Sequence, residues 1–129
     1  MRPSLDQWLK EAALDPAASR CGMYLFHTGV VRSTPKGKVR FGEENERTVS
    51  AVDFSFDADK VREAVAKAEK LPGIFYVRAW LASGIIPVGK ELMLVLVGGD
   101  IRPRVIDALQ SLVEELKTVC VTENEIYED

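Results

Sequence analysis

Arg102 and Lys117 stand at the two ends of one amphipathic segment, and they are the residues of this chain whose type and spacing point most directly to chemistry. Arg102 follows the turn Gly98-Gly99-Asp100-Ile101 and precedes Pro103, so it lies at the mouth of a helix, where free backbone N–H groups favour an anion. Lys117 falls in the last turn of that helix, on the margin of its apolar stripe. A lysine there ordinarily complements the helix dipole, and that is its first reading. A second cationic group, Arg32, Lys36, Lys38 and Arg40, has the charge to guide a phosphate or an acidic partner tail. Glu43, Glu44 and Glu46 follow it at once, so a solvated loop of mixed charge is the better account. Serine and cysteine nucleophiles lack a base: His27 is the only histidine and no Gly-x-Ser-x-Gly occurs, which ranks hydrolase chemistry low. His27 itself reads as a packing residue on a strand and is assigned no chemistry.

The elements that must position the two cations are legible. Glu91 to Val97 is apolar on both faces and reads as an interior strand. Val105, Ile106, Leu109, Leu112, Val113 and Leu116 then follow one helical face, with the helix ending at Leu116-Lys117-Thr118. Upstream, Ser4 caps a short helix bearing Leu5, Trp8, Leu9 and Ala12, which Asp15-Pro16 ends and which should lie across a sheet. Cys21 to Arg32 and Val49 to Phe56 read as strands, separated by a polar loop from Ser33 to Arg47. Asp57 caps a helix with Val61, Ala64, Val65 and Ala68, stopped by Pro72-Gly73. Ile74 to Ala82 is a strand, Ser83 to Gly89 a turn-rich connection, and Val119 to Tyr127 a last strand. Trp8 and Trp80 serve as core or interface anchors. The order predicts an α+β layer arrangement, and by pattern alone a ferredoxin-like small-molecule-binding module fits it as well as any other.

Composition limits the function classes. With 129 residues, 47% of them hydrophobic, the chain fits a single domain spanning residues 1–129. A net charge of −3 gives no general affinity for nucleic acid or anionic membrane. Cys21 and Cys120 are far apart and no CxxC occurs, so no metal site and no resident cofactor are expected, and the thiols read as buried small residues of a reducing cytoplasm. No signal peptide precedes the first acidic residue and no apolar run approaches ~20 residues, which predicts a soluble cytoplasmic protein.

Three segments, in order and at matching spacing, resemble the large, catalytic subunit of molybdopterin synthase. Phe26-His27-Thr28-Gly29-Val30-Val31-Arg32 is similar to that family's aromatic-Thr-Gly-x-Val-Arg strand end. Gly84 to Val97 resembles its Gly-x-Leu-x-x-Gly-Asp-x-x-Val-x-Val segment, with Lys90 where the family prefers Asp. Ile101-Arg102 through Leu116-Lys117-Thr118 matches, without a gap, the helix that begins His-Arg and ends Leu-Lys-Thr. The resemblance covers roughly Gly22 to Asn124. It implies a hammerhead-type α+β fold with mixed or antiparallel sheets, two main helices and a short N-terminal helix. It also implies a homodimer carrying a small ubiquitin-like sulfur carrier at each end, and conversion of cyclic pyranopterin monophosphate to molybdopterin with sulfur from the carrier's C-terminal thiocarboxylate. By position, Arg32 and Arg102 then correspond to anion-binding arginines and Lys117 to the lysine of the sulfur-transfer site. The chemistry suits them: arginine presents a fork matching phosphate, and lysine a compact charge for an oxyanion or, if desolvated, an amine for a covalent adduct.

The departures from that pattern are equally specific. Ile101 replaces the family's histidine before the arginine, and a second active-site lysine falls at Asn124, between Glu123 and Glu125, so a cationic wall becomes acidic. The family's longer C-terminal segment has no counterpart after Asp129. Two functions therefore follow from the sequence: a molybdopterin synthase-type sulfur transferase, or a non-catalytic dimeric homologue that binds an anion or pterin or serves as a scaffold. Arg102 and Lys117 are 15 positions apart, ~22 Å along a helix at ~1.5 Å per residue, which is too far for one pterin monophosphate. Both can serve one ligand only from different subunits.

Overall fold

The computed structural model describes residues 2–37, 42 and 47–128. Two three-stranded antiparallel sheets organise it. The first has the order β1 (Met23–Val30), β5 (Glu91–Gly99), β3 (Ile74–Leu81); the second has the order β4 (Gly84–Pro87), β2 (Val49–Phe56), β6 (Val121–Tyr127). Among the described residues, six strands divided between two sheets replace the single sheet that a ferredoxin-like module would form.

The central place of β5 explains its unbroken apolar run. On one face Met93, Val95 and Val97 enter a core shared with the helices α2 (Ala58–Glu69) and α3 (Arg102–Glu115). On the other, Leu94 and Leu96 pack under Trp8 and Ala12 of α1 (Leu5–Ala13), together with Tyr76. The expectation that the first helix crosses a sheet is met, and Trp8 and Trp80 both belong to this second cluster. A strand covered on both faces has no solvated side on which a polar residue is tolerated. The caps behave as their residue types dictate: the Ser4 hydroxyl accepts from the Gln7 N–H at 3.2 Å, and the Asp57 carboxylate accepts from Asp59 and Lys60.

The stripe of α3 buries Val105, Ala108 and Leu112, and Leu116 continues it just beyond. Burying a side chain such as Val or Leu contributes ~1.5–3 kcal/mol, so these four hold the helix to the sheet more firmly than its propensity does. The entry to α3 depends on a close approach: Gly73 has φ 79° after the α2 stop, and a Cβ there would meet the Asp100 carboxylate oxygen at 2.4 Å.

Three boundaries differ from expectation. Gly84–Pro87, read as a turn-rich connection, is strand β4, because Ile85 and Ile86 find backbone partners in Asp53 and Val52 of β2. The α-helix closes at Glu115, and Leu116–Cys120 forms one π-helical turn; the last strand therefore begins at Val121 rather than Val119. Cys21 and Gly22 lie outside β1, after a 3-10 turn at Ala18–Arg20. Of the thiols, Cys120 is buried and Cys21 half-buried. Lys38, Arg40, Glu43, Glu44 and Glu46 of the polar loop lie outside the described residues.

Candidate functional site

Two of the chain's crossings between sheets converge on one place. β1 leaves the first sheet at Val30 and passes through Arg32 and Lys36 towards β2, while α3 leaves its packing on the first sheet through the π-turn and feeds β6 of the second. Between them lies a cleft of about 100 Å³. Its floor is apolar, made by Val52 and Phe54 of β2, Leu92 and Met93 of β5, and Val121. Its charged wall holds Arg32, Lys36, Lys117, Glu123 and Glu125. Three cations against two carboxylates leave the wall with one net positive charge.

Arg32 and Lys117, 85 positions apart in sequence, are thus brought together. Lys117 does not sit in an ordinary last helical turn. It is exposed on the π-turn, flanked by Leu116 at 0% exposure and close to Cys120 at 4%, so two buried anchors fix a backbone whose intervening side chain faces out. Single π-turns inside or at the end of α-helices recur at functional sites, because the added residue changes which side chain the following turn presents. The Thr118 hydroxyl donates to the Glu114 carbonyl at 2.8 Å and helps close this wider turn.

Arg102 stands elsewhere. It is exposed at the start of α3 and is not part of the cleft. The cap residue is Ile101, 51% exposed and with no side-chain oxygen to offer. Asp100 takes over part of that work, its Oδ1 accepting from the Ile101 N–H at 2.7 Å and its Oδ2 from Arg104 at 2.7 Å. The Asp100 carboxylate therefore already answers part of the positive potential at this helix mouth. Arg102 makes no ion pair among the described residues.

Two residues of this region, Lys36 and His27, were given no part in a site by the sequence reading. Lys36, assigned to a solvated loop, reaches the cleft: its Nζ meets Glu123 at 2.5 Å and its backbone N–H donates to Glu125 at 2.8 Å. Glu123 and Glu125 themselves line the cleft, whereas Asn124 between them points outward. The alternation of a strand was the available signal, since one-residue offsets reverse the face. The acidic character expected next to Asn124 is therefore in the cleft, with the Lys36 ammonium set against it. Tyr127 continues the same face, its hydroxyl donating to Glu125 at 3.1 Å while Arg47 stacks 3.6 Å from its ring centre. Both ends of the polar loop are in this way fastened to β6, and the Val49 N–H donating to the Ser33 carbonyl at 2.8 Å closes its base.

His27 is the second. It lies on β1, half-buried, two residues before Gly29 of the cleft wall. Burial, and then the charge of Lys117, hold its pKa below the usual 6.5. Burial likewise pushes the Cys120 thiol up, which suits an inert core residue. Among the described residues no group of His, Cys, Asp or Glu is arranged to hold a metal ion, and no helix is long and apolar enough to cross a membrane.

The fold that frames this cationic cleft is a two-sheet α+β arrangement, with a lysine on a π-turn at the cleft wall. The matching family model is that of the MoaE protein, over residues 4–119. The chain belongs to this family, that of the molybdopterin synthase large subunit, and its place is in molybdenum cofactor biosynthesis. Sequence comparison with curated proteins returns no match. Among solved structures, molybdopterin synthase from Staphylococcus aureus shares the fold with a TM-score of 0.74 at 18% identity, over 100% of this chain and 89% of that one. The MoaE protein from Burkholderia ambifaria gives 0.70 at 14% identity, over 98% and 84%. A chain from the complex of subunits 1 and 2 of molybdopterin-converting factor from Helicobacter pylori gives 0.66 at 16% identity, over 96% and 76%.

Proposed function

We propose that this chain is the catalytic large subunit of a molybdopterin synthase, transferring sulfur from a thiocarboxylated ubiquitin-like carrier to cyclic pyranopterin monophosphate. The observation that carries this reading is the meeting of Arg32 and Lys117 in one cleft, joined there by β1 and the π-turn. The cleft has an apolar floor suited to an extended chain end, and the cations of its wall suit a terminal acid and a phosphate. Lys117 is the sulfur-transfer residue: the carrier's thiocarboxylate sulfur bonds to the pterin, water then attacks the resulting thioester carbonyl, and the Lys117 ammonium stabilises the oxyanion so formed before the acyl–sulfur bond breaks, leaving the sulfur on the pterin and the carrier as a carboxylate. Arg32 and Arg102 bind the anionic parts of the ligand.

The whole chain acts as one domain, in the cytoplasm and as a homodimer. The ~22 Å from Arg102 to Lys117 along the helix excludes one small ligand from touching both within a subunit. A two-fold axis that carries Arg102 of one subunit to the cleft of the other completes two equal sites. The H. pylori complex of two different subunits supports a small partner for this chain as well. The test is dithiolene formation from the pyranopterin precursor and thiocarboxylated carrier: product formation by the wild-type chain is expected, and its absence with a carrier shown to bind rejects catalysis.

A second reading has a specific observation in its favour. Glu123 and Glu125 face the cleft and Ile101 occupies the helix mouth, an arrangement that retains an anion pocket with reduced positive charge. A non-catalytic dimeric homologue that binds an anion or a pterin, or acts as a scaffold, fits it. Binding of precursor by calorimetry without turnover would support that reading.

A further inference from the structure

The one histidine of the chain is left without a hydrogen-bond partner in the place where the site needs a fixed charge. His27 Nε2 is buried and accepts from nothing. It lies 3.8 Å from the point where a Cβ on Gly29 would sit, and Gly29 is part of the cleft wall that also bears Lys117. Its register partner on β5, Val95, carries no charge, and Lys117 on the π-turn is the charged group whose field it feels. The other charged groups of the cleft are Arg32, Lys36, Glu123 and Glu125. An unmet acceptor at this depth destabilises the fold unless a donor reaches it.

Resting on the sulfur-transfer reading above, we propose that His27 is a positioning residue for Lys117: its neutral imidazole, in the Nδ1–H tautomer, accepts through Nε2 from the Lys117 ammonium and fixes where that charge stands in the cleft. The lysine is exposed on four flexible bonds, and an acceptor at the base of the wall selects one of its rotamers. The arrangement carries its own pH dependence. Burial and the neighbouring ammonium both favour the neutral ring, so the acceptor is present at neutral pH. As pH falls below the histidine's lowered pKa, the ring becomes a donor and a cation; it can no longer accept, and it repels Lys117. Sulfur transfer then declines on the acid side.

Because His27 is the only histidine, its ring signals in a proton–carbon NMR titration are unambiguous. The wild-type ring should titrate below 6.5, and Lys117→Ala should move that midpoint upward. Identical midpoints in the two proteins overturn the proposal. In the sulfur-transfer assay, His27→Phe should lower kcat by about 10-fold, the usual effect of losing a hydrogen bond to a charged group, leave the KM for carrier unchanged and abolish the acid limb. His27→Gln, whose side-chain oxygen can accept in the same direction but does not titrate, should restore most of the rate and still lack the acid limb. A His27→Phe protein with wild-type kcat and pH profile overturns the proposal. A wild-type protein that transfers no sulfur rejects the underlying function instead, and the NMR midpoints still decide whether His27 and Lys117 are coupled.

Discussion

The two ends of the α3 unit each carry a cation, yet they are different kinds of place. At the C-terminal end, Lys117 rides on a π-turn between buried Leu116 and Cys120 and faces a cleft whose walls come from four strands and a loop. At the N-terminal end, Arg102 is exposed beside a helix mouth already engaged by Asp100, outside any described cleft. One end lies on a cleft that the subunit itself builds; the other, on the shared-site proposal, is half of a site that a second subunit would complete. A charge acquires a function from what surrounds it, and only the first end supplies those surroundings unaided.

The sharpest way to break this comparison is to alter neighbours on the π-turn. Lys117→Ala should abolish sulfur transfer while lowering stability by no more than ~1 kcal/mol, the value of an exposed charge at a helix end. Leu116→Ala, one residue away and fully buried, should instead cost ~2–5 kcal/mol in denaturant unfolding. Normal turnover by the Lys117 variant would leave it a helix-end charge. The half-site character of the other end is tested by mixing. Arg102→Ala subunits, impaired at precursor concentrations too low to offset their weaker binding, and Lys117→Ala subunits, inactive alone, should regain up to about a quarter to a half of the activity after exchange, since a two-fold heterodimer restores one intact site. A strictly monomeric species by light scattering, or no recovery despite proven exchange, would end the shared-site model.

Smaller effects sharpen the contrast. Arg102→Ala should weaken binding of the pyranopterin precursor by roughly 10-fold or more, as expected for a charge-assisted hydrogen bond to phosphate, with no change in melting of the free protein. Calorimetric titration reads it. Glu123→Gln removes the carboxylate that meets Lys36, and should raise affinity for phosphate-bearing ligands a few-fold at low salt, an advantage that shrinks as ionic strength rises. The smallest effect is on stability. The folded-state pKa of His27 is lowered, so its contribution is full above about 6.5 and is lost as pH falls through the folded value. His27→Phe should therefore flatten the acid side of the stability curve followed by thermal melting.

Much of the framework was readable from local pattern. The double-sided apolar run of β5 announced a covered strand, the stripe from Val105 to Leu116 a packed helix, and Ser4 and Asp57 their caps, because each is a relation among residues within one turn or one strand. Lys117 stood out by its place at the end of an amphipathic helix and Arg32 within a cationic group, but their roles in a site came only through the resemblance to the family, since a basic residue in a last turn or at a strand end is ordinary. Gly84–Pro87 was misread for the opposite reason: four residues with a glycine and a proline resemble a turn until β2 offers hydrogen-bond partners.

Sequence by itself determined the periodicities, the caps, the family and the positions of the charges along the chain. Tertiary structure decided which charges meet. Lys36 lies 87 positions from Glu123, and His27 lies 90 positions from Lys117; no pattern of period 2 or 3.6 extends so far. Their proximity exists because the chain beyond β1 and the π-turn beyond α3 both line one cleft, into which β6 alternates Glu123 and Glu125. The cleft's charge balance, and the unmet nitrogen of His27 beside it, are consequences of that packing.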